Sequence, residues 1–340
     1  MRLLVLFAVK LSVLINNHNY ARFLGEAIES VLIQLAADDE LVLVDDGSTD
    51  DSASVVEHYR HDPRLRVIFQ QNQGQLAAVL NGLQAATGEL LLLLDSDDYF
   101  LPGYLDRLRS LGREHPDVGM FFSAAVPGGS QPGQVREMQR LLARIAIPEG
   151  PTGPSRWSTL IGSEFLGTPT SGLAFRRPLV EQILAVRQHL SDQCLVDPTA
   201  LRLLRVNPDS HTATRLSADG LLVRAASVAG ARKYSCATPG FYYRVHGNNA
   251  FAMMTRLGRR YIDFKHRHGI ARMLAQAFEL QRRPQLEELR EEIRQRSGAR
   301  KLRRRLRLAL NYSFALLLAE GPPWSRLTAI ALLPVQWLRS

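Results

Sequence analysis

The sequence has few cysteines and no long apolar segment. Only 2 of its 340 residues are cysteines, Cys194 and Cys236. They indicate neither a disulfide framework nor a cysteine zinc site, and a reducing compartment fits best. The first apolar run ends at Lys10 and is too short for a secretory signal. No segment reaches the roughly 18 uninterrupted apolar residues of a spanning helix, so we expect a chain that does not cross a membrane.

The sequence also lacks an even spread of charge. Hydrophobic residues are 46% and charged residues 22% of the chain, which argues against wholesale disorder and against a polytopic membrane protein. Residues 1–120 contain 9 Lys and Arg against 18 Asp and Glu, whereas residues 256–340 contain 19 against 7. The acidic part is suited to a cation, and the basic part to phosphate or anionic lipid.

Short apolar runs alternate with helical patterns in the first hundred residues, which is typical of an α/β sheet with crossover helices. Residues 126–170 are rich in Gly, Pro and Ser, and we expect an insertion or lid there. The expected strands are Leu11–Ile15, Leu41–Val44, Leu65–Phe69 and Glu89–Leu94, and the expected helices are Asn19–Gln34 and Gln75–Ala86.

Two acidic clusters follow predicted strands. Asp95, Asp97 and Asp98 come directly after a buried strand, where open α/β sheets bind ligands. Three unpaired carboxylates repel one another, and a divalent cation relieves that repulsion; the alternative is a solvated turn. Asp45 and Asp46 end the second strand, and would open on the same edge of a parallel sheet. Helix capping is the competing interpretation of the polar residues that follow Asp46.

Six segments occur in a characteristic order and spacing. They are SVLINNHNYARFLGEAIESVLIQ (Ser12 to Gln34), LVLVDDGSTDDS (Leu41 to Ser52), NQGQLAAVLNGLQAATGELLLLLDSDD (Asn72 to Asp98), TSGLAFRR (Thr170 to Arg177), SADGLLVRAASVAG (Ser217 to Gly230) and YYRVHGNN (Tyr242 to Asn249). In these segments the chain resembles glycosyltransferase family 2, whose members are inverting enzymes of the GT-A fold.

The resemblance implies a Rossmann-like, mostly parallel sheet flanked by helices over residues 11–250. Residues 11–100 would form a nucleotide-sugar half and residues 101–250 an acceptor half. The residues themselves, apart from the resemblance, indicate an extra N-terminal strand or a misplaced start in residues 1–10, and a basic, amphipathic helical extension in residues 251–340. The implied function is transfer of a sugar from a nucleotide-sugar in cell-envelope or exopolysaccharide biosynthesis, on a lipid-linked or saccharide acceptor.

The resemblance also implies roles for single residues. Asp97 would ligate Mn²⁺ or Mg²⁺, and His246 would complete the metal site or touch the diphosphate; the alternative for His246 is a structural role. His18 departs from the tyrosine usual in the family, and Val79 and Leu80 replace a frequent Ala-Arg pair. The residues implied in donor binding are Asn16, Asn17, Asp46, Asn72, Gly74 and Asp95.

Inversion requires one general base to take the acceptor proton. Asp219 lies in the segment where family members place this carboxylate, so we expect it to be the base. Asp209 and Asp197 are nearby alternatives, and helix capping is the structural alternative for Asp219.

Three further patterns narrow the function. The Gln-x-x-Arg-Trp signature of processive members is absent, since Arg156 and Trp157 lack the required Gln, which favours single-sugar transfer. A nucleotidyltransferase acting on sugar phosphates would show a Gly-rich phosphate loop near the N-terminus, and the sequence has none there. A nucleic-acid-binding protein built on the basic tail conflicts with the acidic N-terminal part, so we expect no nucleic-acid partner.

The C-terminal region has the pattern of an interfacial helix. Leu302, Leu306 and Leu310 recur every four residues beside arginines 303, 304, 305 and 307, and such a stripe suits the surface of an anionic membrane. We expect this region to hold a cytoplasmic enzyme on the inner face of the plasma membrane without spanning it. The alternative is a solvated helix that packs on the catalytic core or on another subunit.

Overall fold

The computed structural model describes residues 9–191, 198–203, 217–246, 269–280, 283–295 and 302–338. The chain forms two compact units. The first unit consists of Met1–Pro148, Thr168–Leu184 and Cys236–His246, and the second consists of Glu149–Gly167, Ala185–Ser235 and Gly247–Ser340. Each unit is described by itself.

The described residues contain nine strands. They are β1 (Leu11–Asn17), β2 (Glu40–Asp46), β3 (Leu65–Gln70), β4 (Leu90–Asp95), β5 (Tyr99–Phe100), β6 (Met120–Gly129), β7 (Gly150–Pro151), β8 (Leu173–Arg176) and β9 (Lys233–Val245). The four strands expected near the N-terminus are therefore present. β1 extends two residues beyond the expected end because Asn16 and Asn17 pair with Val44 and Asp45 of β2.

Helices make up most of the remaining described chain. They are α1 (Ala21–Leu32), α2 (Ser52–Tyr59), α3 (Gln75–Ala85), α4 (Tyr104–Glu114), α5 (Pro132–Ile145), α6 (Arg156–Gly162), α7 (Arg177–Ala185), α8 (Pro198–Leu203), α9 (Ala218–Val228), α10 (269–277), α11 (Leu286–Gln295), α12 (Leu302–Leu318) and α13 (Pro323–Leu338). Residues 126–170, where an insertion or lid was expected, contain the end of β6, then α5, β7 and α6.

The first unit is built on a mixed sheet with the strand order β3-β2-β1-β4-β8-β6-β9-β5. β3, β2, β1 and β4 run parallel, and β8 begins the antiparallel part. The register places Asn16 beside Asp95 and Asn17 beside Asp45. The carboxyl ends of the parallel strands therefore meet at one edge, where such sheets bind ligands.

Apolar packing and one buried ion pair hold this sheet in place. Leu90 to Leu94 are fully buried, as expected for a strand covered on both faces. At the opposite end of β1, the Asp39 carboxylate accepts a hydrogen bond from Leu11 N at 2.9 Å. It also pairs with the Arg109 guanidinium of α4 at 2.6 Å. The pair compensates two charges that are costly to bury alone.

The second unit has its own core between α6, α11, α12 and α13. Trp157, Leu289, Leu308 and Tyr312 belong to this apolar cluster. The buried Glu292 carboxylate of α11 accepts hydrogen bonds from Trp157 N at 2.9 Å, Ser158 N at 3.1 Å and the Tyr312 hydroxyl at 2.8 Å. A carboxylate at the N-terminus of α6 satisfies backbone donors that have no partner within the helix.

The expected C-terminal helices are present as α11, α12 and α13. α13 continues through Pro334, although proline usually interrupts a helix. Leu333 beside it is buried in the apolar cluster, and this packing compensates the backbone hydrogen bond that proline cannot donate. Among the described residues, no helix is both long enough and apolar enough to cross a bilayer.

Candidate active site

Three carboxylates crowd together where β4 ends. Asp95 is the last residue of β4, and Asp97 and Asp98 lie in the turn that leads into β5. Their oxygen atoms lie within 4.8 Å of one another, and they form the one group of this kind found among the described residues. Asp98 is buried, whereas Asp95 and Asp97 are half-buried.

The crowding changes the electrostatics of the site. Burial, followed by the charges of Asp97 and Asp95, raises the pKa of Asp98 well above its ordinary value. Burial and the same two charges raise the pKa of the Tyr20 hydroxyl to about 12. The negative field of the cluster thus reaches a phenol on the neighbouring loop. Hard oxygen ligands in such a field suit Mg²⁺ or Mn²⁺.

His246 lies against this cluster directly after β9. Its Nε2 is 2.9 Å from an Asp97 carboxylate oxygen. The imidazole packs against both the Tyr20 ring, at 5.6 Å between centroids, and the Phe23 ring, at 5.3 Å. The structure therefore brings together the two residues predicted to hold the metal, although they are 149 positions apart in the sequence. Carboxylate oxygen with one imidazole nitrogen is a donor set that fits Mn²⁺.

Arg244 is a further site residue, for which the sequence leaves two roles open: neutralisation of phosphate or pairing with a surface carboxylate. Its backbone N donates to Asp98 at 2.8 Å and its Nε donates to the Asp97 carbonyl oxygen at 2.8 Å. Its guanidinium pairs with Glu26 of α1 and lies over the Phe23 ring at 4.6 Å. The available signal was the strand period, because residues 242 and 244 share one face of β9 and position 246 continues that alternation.

Asp46 organises the loop that follows β3. Its carboxylate accepts hydrogen bonds from Gln73 N at 2.8 Å, Gly74 N at 2.7 Å and the Gln70 side chain at 2.7 Å. Gly74 has a φ of 92°, a backbone conformation that a side chain would strain. Asp46 and Gly74, both predicted to contact the donor, are thus in direct contact.

His18 links Asp46 to Asn72. Its Nδ1 lies 2.8 Å from the Asp46 carbonyl oxygen, and since a carbonyl only accepts, Nδ1 carries the proton. The Asn72 side-chain amide then donates to Nε2 at 3.0 Å. The histidine that stands in place of the usual tyrosine therefore lies among the predicted donor residues and belongs to the same network.

Asn16 and Asn17 occupy different environments at the end of β1. The Asn17 amide is buried and donates to Asp45 at 2.8 Å and to the Ser52 hydroxyl at 2.9 Å. The buried Oδ1 atoms of Asn16 and Asn17 accept no hydrogen bond in the described structure. Asp95, which pairs with Asn16 across the sheet, accepts from the Gln75 side chain at 2.9 Å. A ligand that reached either atom would supply the hydrogen bond that it lacks.

Asp219 lies in the second unit, in the first turn of α9. The cap of this helix is Ser217, whose hydroxyl accepts from Gly220 N at 3.3 Å. Burial raises the pKa of Asp219, and hydrogen bonds from Ser217 and Gly220 and the charge of Arg224 oppose this shift. A carboxylate with a raised pKa is a stronger proton acceptor. The alternative bases Asp197 and Asp209 lie outside the described residues.

Comparisons with known proteins agree with these features. Residues 12–176 match the family model described as Glycosyl transferase family 2. An uncharacterized glycosyltransferase of Nostoc sp. is 32% identical over 246 residues, which cover 71% of this chain and 66% of that protein. The putative glycosyltransferase EpsH of Bacillus subtilis is 40% identical over 106 residues, 30% of each chain. The chain thus spans two thirds or less of the length of these relatives.

One solved structure shares the fold. The crystal structure of S. aureus TarS, residues 1–349, in complex with UDP-GlcNAc has a TM-score of 0.51 and 18% identity to this chain. The alignment covers 96% of this chain and 86% of the TarS chain. This likeness, with the mixed sheet and the C-terminal helices, confirms the expected GT-A fold.

We predict that removing the Asp97 charge stabilises the metal-free protein. Ionised Asp98 is close to Asp97, and relief of one such like-charge contact is worth on the order of 1 kcal/mol or more. Asp97→Asn in chelator should therefore raise the free energy of unfolding at pH 7.5. The raised pKa of Asp98 means that the folded parent takes up a proton at a higher pH than the unfolded chain. Parental stability should thus fall as the pH rises above about 4.

Urea unfolding at pH 7.5 and pH 5 measures this effect. The gain from Asp97→Asn should shrink at pH 5 as Asp98 becomes protonated. Asp38→Asn, which changes an exposed carboxylate outside the cluster, should give no comparable gain. A destabilised Asp97→Asn protein at pH 7.5 would contradict the prediction.

Proposed function

Because the chain belongs to glycosyl transferase family 2, we propose that it transfers a single sugar from a nucleotide-sugar to an acceptor with inversion at the anomeric carbon. The observation that carries this proposal is the meeting of His246 and Asp97, 2.9 Å apart, at the acidic end of β4. This contact lies at the same edge of the sheet as Asp46. One sheet edge thus offers groups for a cation and groups for a nucleotide.

The donor nucleotide binds at the ends of β1, β2 and β3. Asp46 holds Gln73 N and Gly74 N in place, and this fixes the loop that borders the nucleotide. The free Oδ1 of Asn16 accepts a hydrogen bond from the donor. Asp95 accepts from a ribose hydroxyl or reaches the cation through water. Orientation of the sugar by such contacts lowers the barrier to in-line attack.

Asp97 and His246 would hold Mn²⁺ or Mg²⁺, and a cation bound there would offset the charge that develops on the diphosphate leaving group. The Asp97 carboxylate and the His246 Nε2 supply an oxygen and a nitrogen ligand, and the negative field that raises the pKa of Asp98 favours a divalent ion at this place. Tyr20 and Phe23 keep the imidazole oriented toward Asp97.

Asp219 takes the proton from the acceptor hydroxyl as that oxygen attacks the anomeric carbon. The raised pKa of its carboxyl makes the ionised carboxylate a stronger base. Its hydrogen bond from Gly220 N at 2.6 Å orients the carboxylate. Proton transfer of this kind contributes about 10²-fold or more to the rate.

The acceptor belongs to cell-envelope or exopolysaccharide assembly and is lipid-linked or a saccharide. The enzyme acts from the cytoplasm on the inner face of the plasma membrane, which α12 and α13 of the second unit contact. The side of α12 that packs into the unit carries Leu308 and Tyr312. The opposite side of α12 exposes an apolar stripe of Leu306, Leu310, Phe314 and Leu317. These residues are spaced four, four and three positions apart, so they are neighbours on one side of the helix.

Charge and exposure together favour a lipid partner for this stripe. Leu310 is 71% exposed and Trp324 of α13 is 80% exposed. Large apolar side chains that are exposed together are typical of a surface that contacts a partner or a membrane. Arginine occupies positions 303, 304, 305 and 307 at the start of α12. Each basic residue near an anionic leaflet contributes about 1 kcal/mol to binding. An apolar stripe beside arginines is the pattern of a helix that lies in the membrane interface.

The first test of the proposal concerns the metal. Asp97→Ala should abolish sugar transfer and leave the circular dichroism spectrum unchanged, because the change removes a ligand and relieves repulsion. Transfer by the parent should require Mn²⁺ or Mg²⁺ and stop in chelator. UDP-GlcNAc, the ligand of the similar TarS structure, is the first donor to assay, followed by GDP- and dTDP-sugars. Asp106→Ala, in which an 86% exposed carboxylate is removed from α4, is the matched control and should stay active.

The second test concerns the base. Asp219→Asn keeps the shape of the side chain but cannot accept the proton, so kcat should fall roughly a hundredfold or more. Donor affinity, measured by calorimetry with the nucleotide diphosphate, should not change. Full turnover by Asp219→Asn, together with a loss in Asp209→Asn or Asp197→Asn, would overturn the assignment.

The third test concerns the membrane. A variant with Leu310→Gln, Phe314→Gln and Leu317→Gln should float with phosphatidylglycerol vesicles at least tenfold less than the parent at low salt, since it loses the apolar contribution of three exposed side chains. Ile33→Gln, at a 77% exposed position of the first unit, is the control and should float like the parent. Equal flotation of the triple variant and the parent would refute this mode of docking.

A further inference from the structure

We propose that Arg244 is a positioning residue for the cation site, which sets the location of the His246 imidazole beside Asp97. The inference rests on the proposed metal site and adds a residue that touches neither the cation nor the substrate. Three groups of contacts within the first unit support this role of Arg244: those of its backbone, those of its guanidinium and those of the His246 ring.

The backbone of β9 is tied to the acidic turn two residues before His246. Arg244 N donates to an Asp98 carboxylate oxygen at 2.8 Å, and Ser171 donates to the other oxygen of that carboxylate at 2.6 Å. Ser171 also accepts from Asp95 N at 3.1 Å. A strand rises about 3.3 Å per residue, so this link leaves the backbone at His246 little freedom relative to the turn that carries Asp97.

The Arg244 side chain makes a second link to the same turn. Its Nε donates to the Asp97 carbonyl oxygen at 2.8 Å. The side chain of Arg244 is therefore bound to Asp97, and its backbone N is bound to Asp98. The guanidinium continues to α1, where it pairs with Glu26. Only arginine offers both an Nε donor and terminal amino groups in a planar fork. A lysine at this position reaches one of the two partners.

Phe23 transmits the position of Arg244 to the imidazole. The guanidinium lies 4.6 Å from the Phe23 ring centroid, and that ring lies 5.3 Å from the centroid of His246. Stacked Tyr99 and Tyr242 rings, 4.7 Å apart, support the guanidinium from β5 and β9, at 5.6 Å and 5.7 Å respectively. The Phe23 ring therefore contacts both the Arg244 guanidinium and the His246 imidazole, so Arg244 helps to fix the position of the imidazole. Side chains that orient a metal ligand change the metal affinity of the site.

A purely structural role for Arg244 makes a different prediction. A residue that only stabilises the fold affects metal binding in the same proportion whether or not His246 is present. A residue that acts through His246 loses its effect when the imidazole is removed. A double-mutant cycle separates these cases.

The experiment measures Mn²⁺ affinity by calorimetry in the presence of UDP for four full-length proteins: the parent, Arg244→Met, His246→Ala and the double variant. Arg244→Met keeps the apolar stem and removes the donors. We expect Arg244→Met to weaken Mn²⁺ binding roughly tenfold in the parent and less than twofold in His246→Ala. Arg244→Lys should fall between parent and Arg244→Met. Equal weakening in both backgrounds, or no weakening, overturns the proposal.

The matched control is Arg60→Met. Arg60 also combines an ion pair, to Glu57 at 2.7 Å, with a ring contact, to Phe69 at 5.9 Å, but it contacts none of the acidic turn. Its loss should leave Mn²⁺ affinity unchanged. If Arg244→Met does not fold, Glu26→Gln carries the test, because Glu26 is half exposed and its change removes only the outer link. It should weaken Mn²⁺ binding about threefold in the parent and not in His246→Ala.

The outcomes distinguish this inference from the proposed function. A parent that binds no Mn²⁺ with UDP refutes the metal site, and the inference with it. A parent that binds Mn²⁺ and loses that binding in Asp97→Ala, but keeps it in Arg244→Met and Glu26→Gln, supports the metal site and overturns the inference alone.

Discussion

The mutual repulsion of three carboxylates at the end of β4 is the constraint around which the first unit is arranged. Carboxylate oxygens of Asp95, Asp97 and Asp98 lie within 4.8 Å of one another. Burial and these neighbouring charges raise the pKa of Asp98, and the arrangement is costly without compensation. The neighbouring residues supply that compensation. Ser171 and Arg244 N donate to Asp98, and His246 lies against Asp97. The same field favours a divalent cation, so the feature that is costly to the fold supports the proposed chemistry.

The parallel register of the sheet turns local polar clusters into one site. Asn16 pairs with Asp95 and Asn17 with Asp45 because β1 lies between β4 and β2. Asp46 then anchors the loop after β3 through Gly74 N. Each strand ends in polar residues at the same edge, and the buried leucines of β4 keep that edge in register.

In the second unit, the constraint is that α12 is apolar on two sides and the fold buries only one of them. Glu292 caps α6 and binds Tyr312, and this fixes which side of α12 faces inward. The remaining apolar side, with Leu310 and Phe314, is left exposed. Burial of one side therefore decides which apolar side of α12 is exposed, and this exposed side, next to the arginines at the start of the helix, is the one that we propose for membrane docking.

The sequence by itself determined the features whose physical cause is local. A continuous apolar run followed by a contiguous Asp-Ser-Asp-Asp turn identifies β4 and its acidic end, because neighbouring residues interact whatever the fold. The family resemblance implied His246 at the metal site, but only the tertiary structure decided its direct contact with Asp97, 149 residues away. The tertiary structure also decided the pairing of Arg244 with Glu26, since 218 residues separate them. It also decided which side of α12 is exposed, because a helix with two apolar sides is ambiguous until a core covers one.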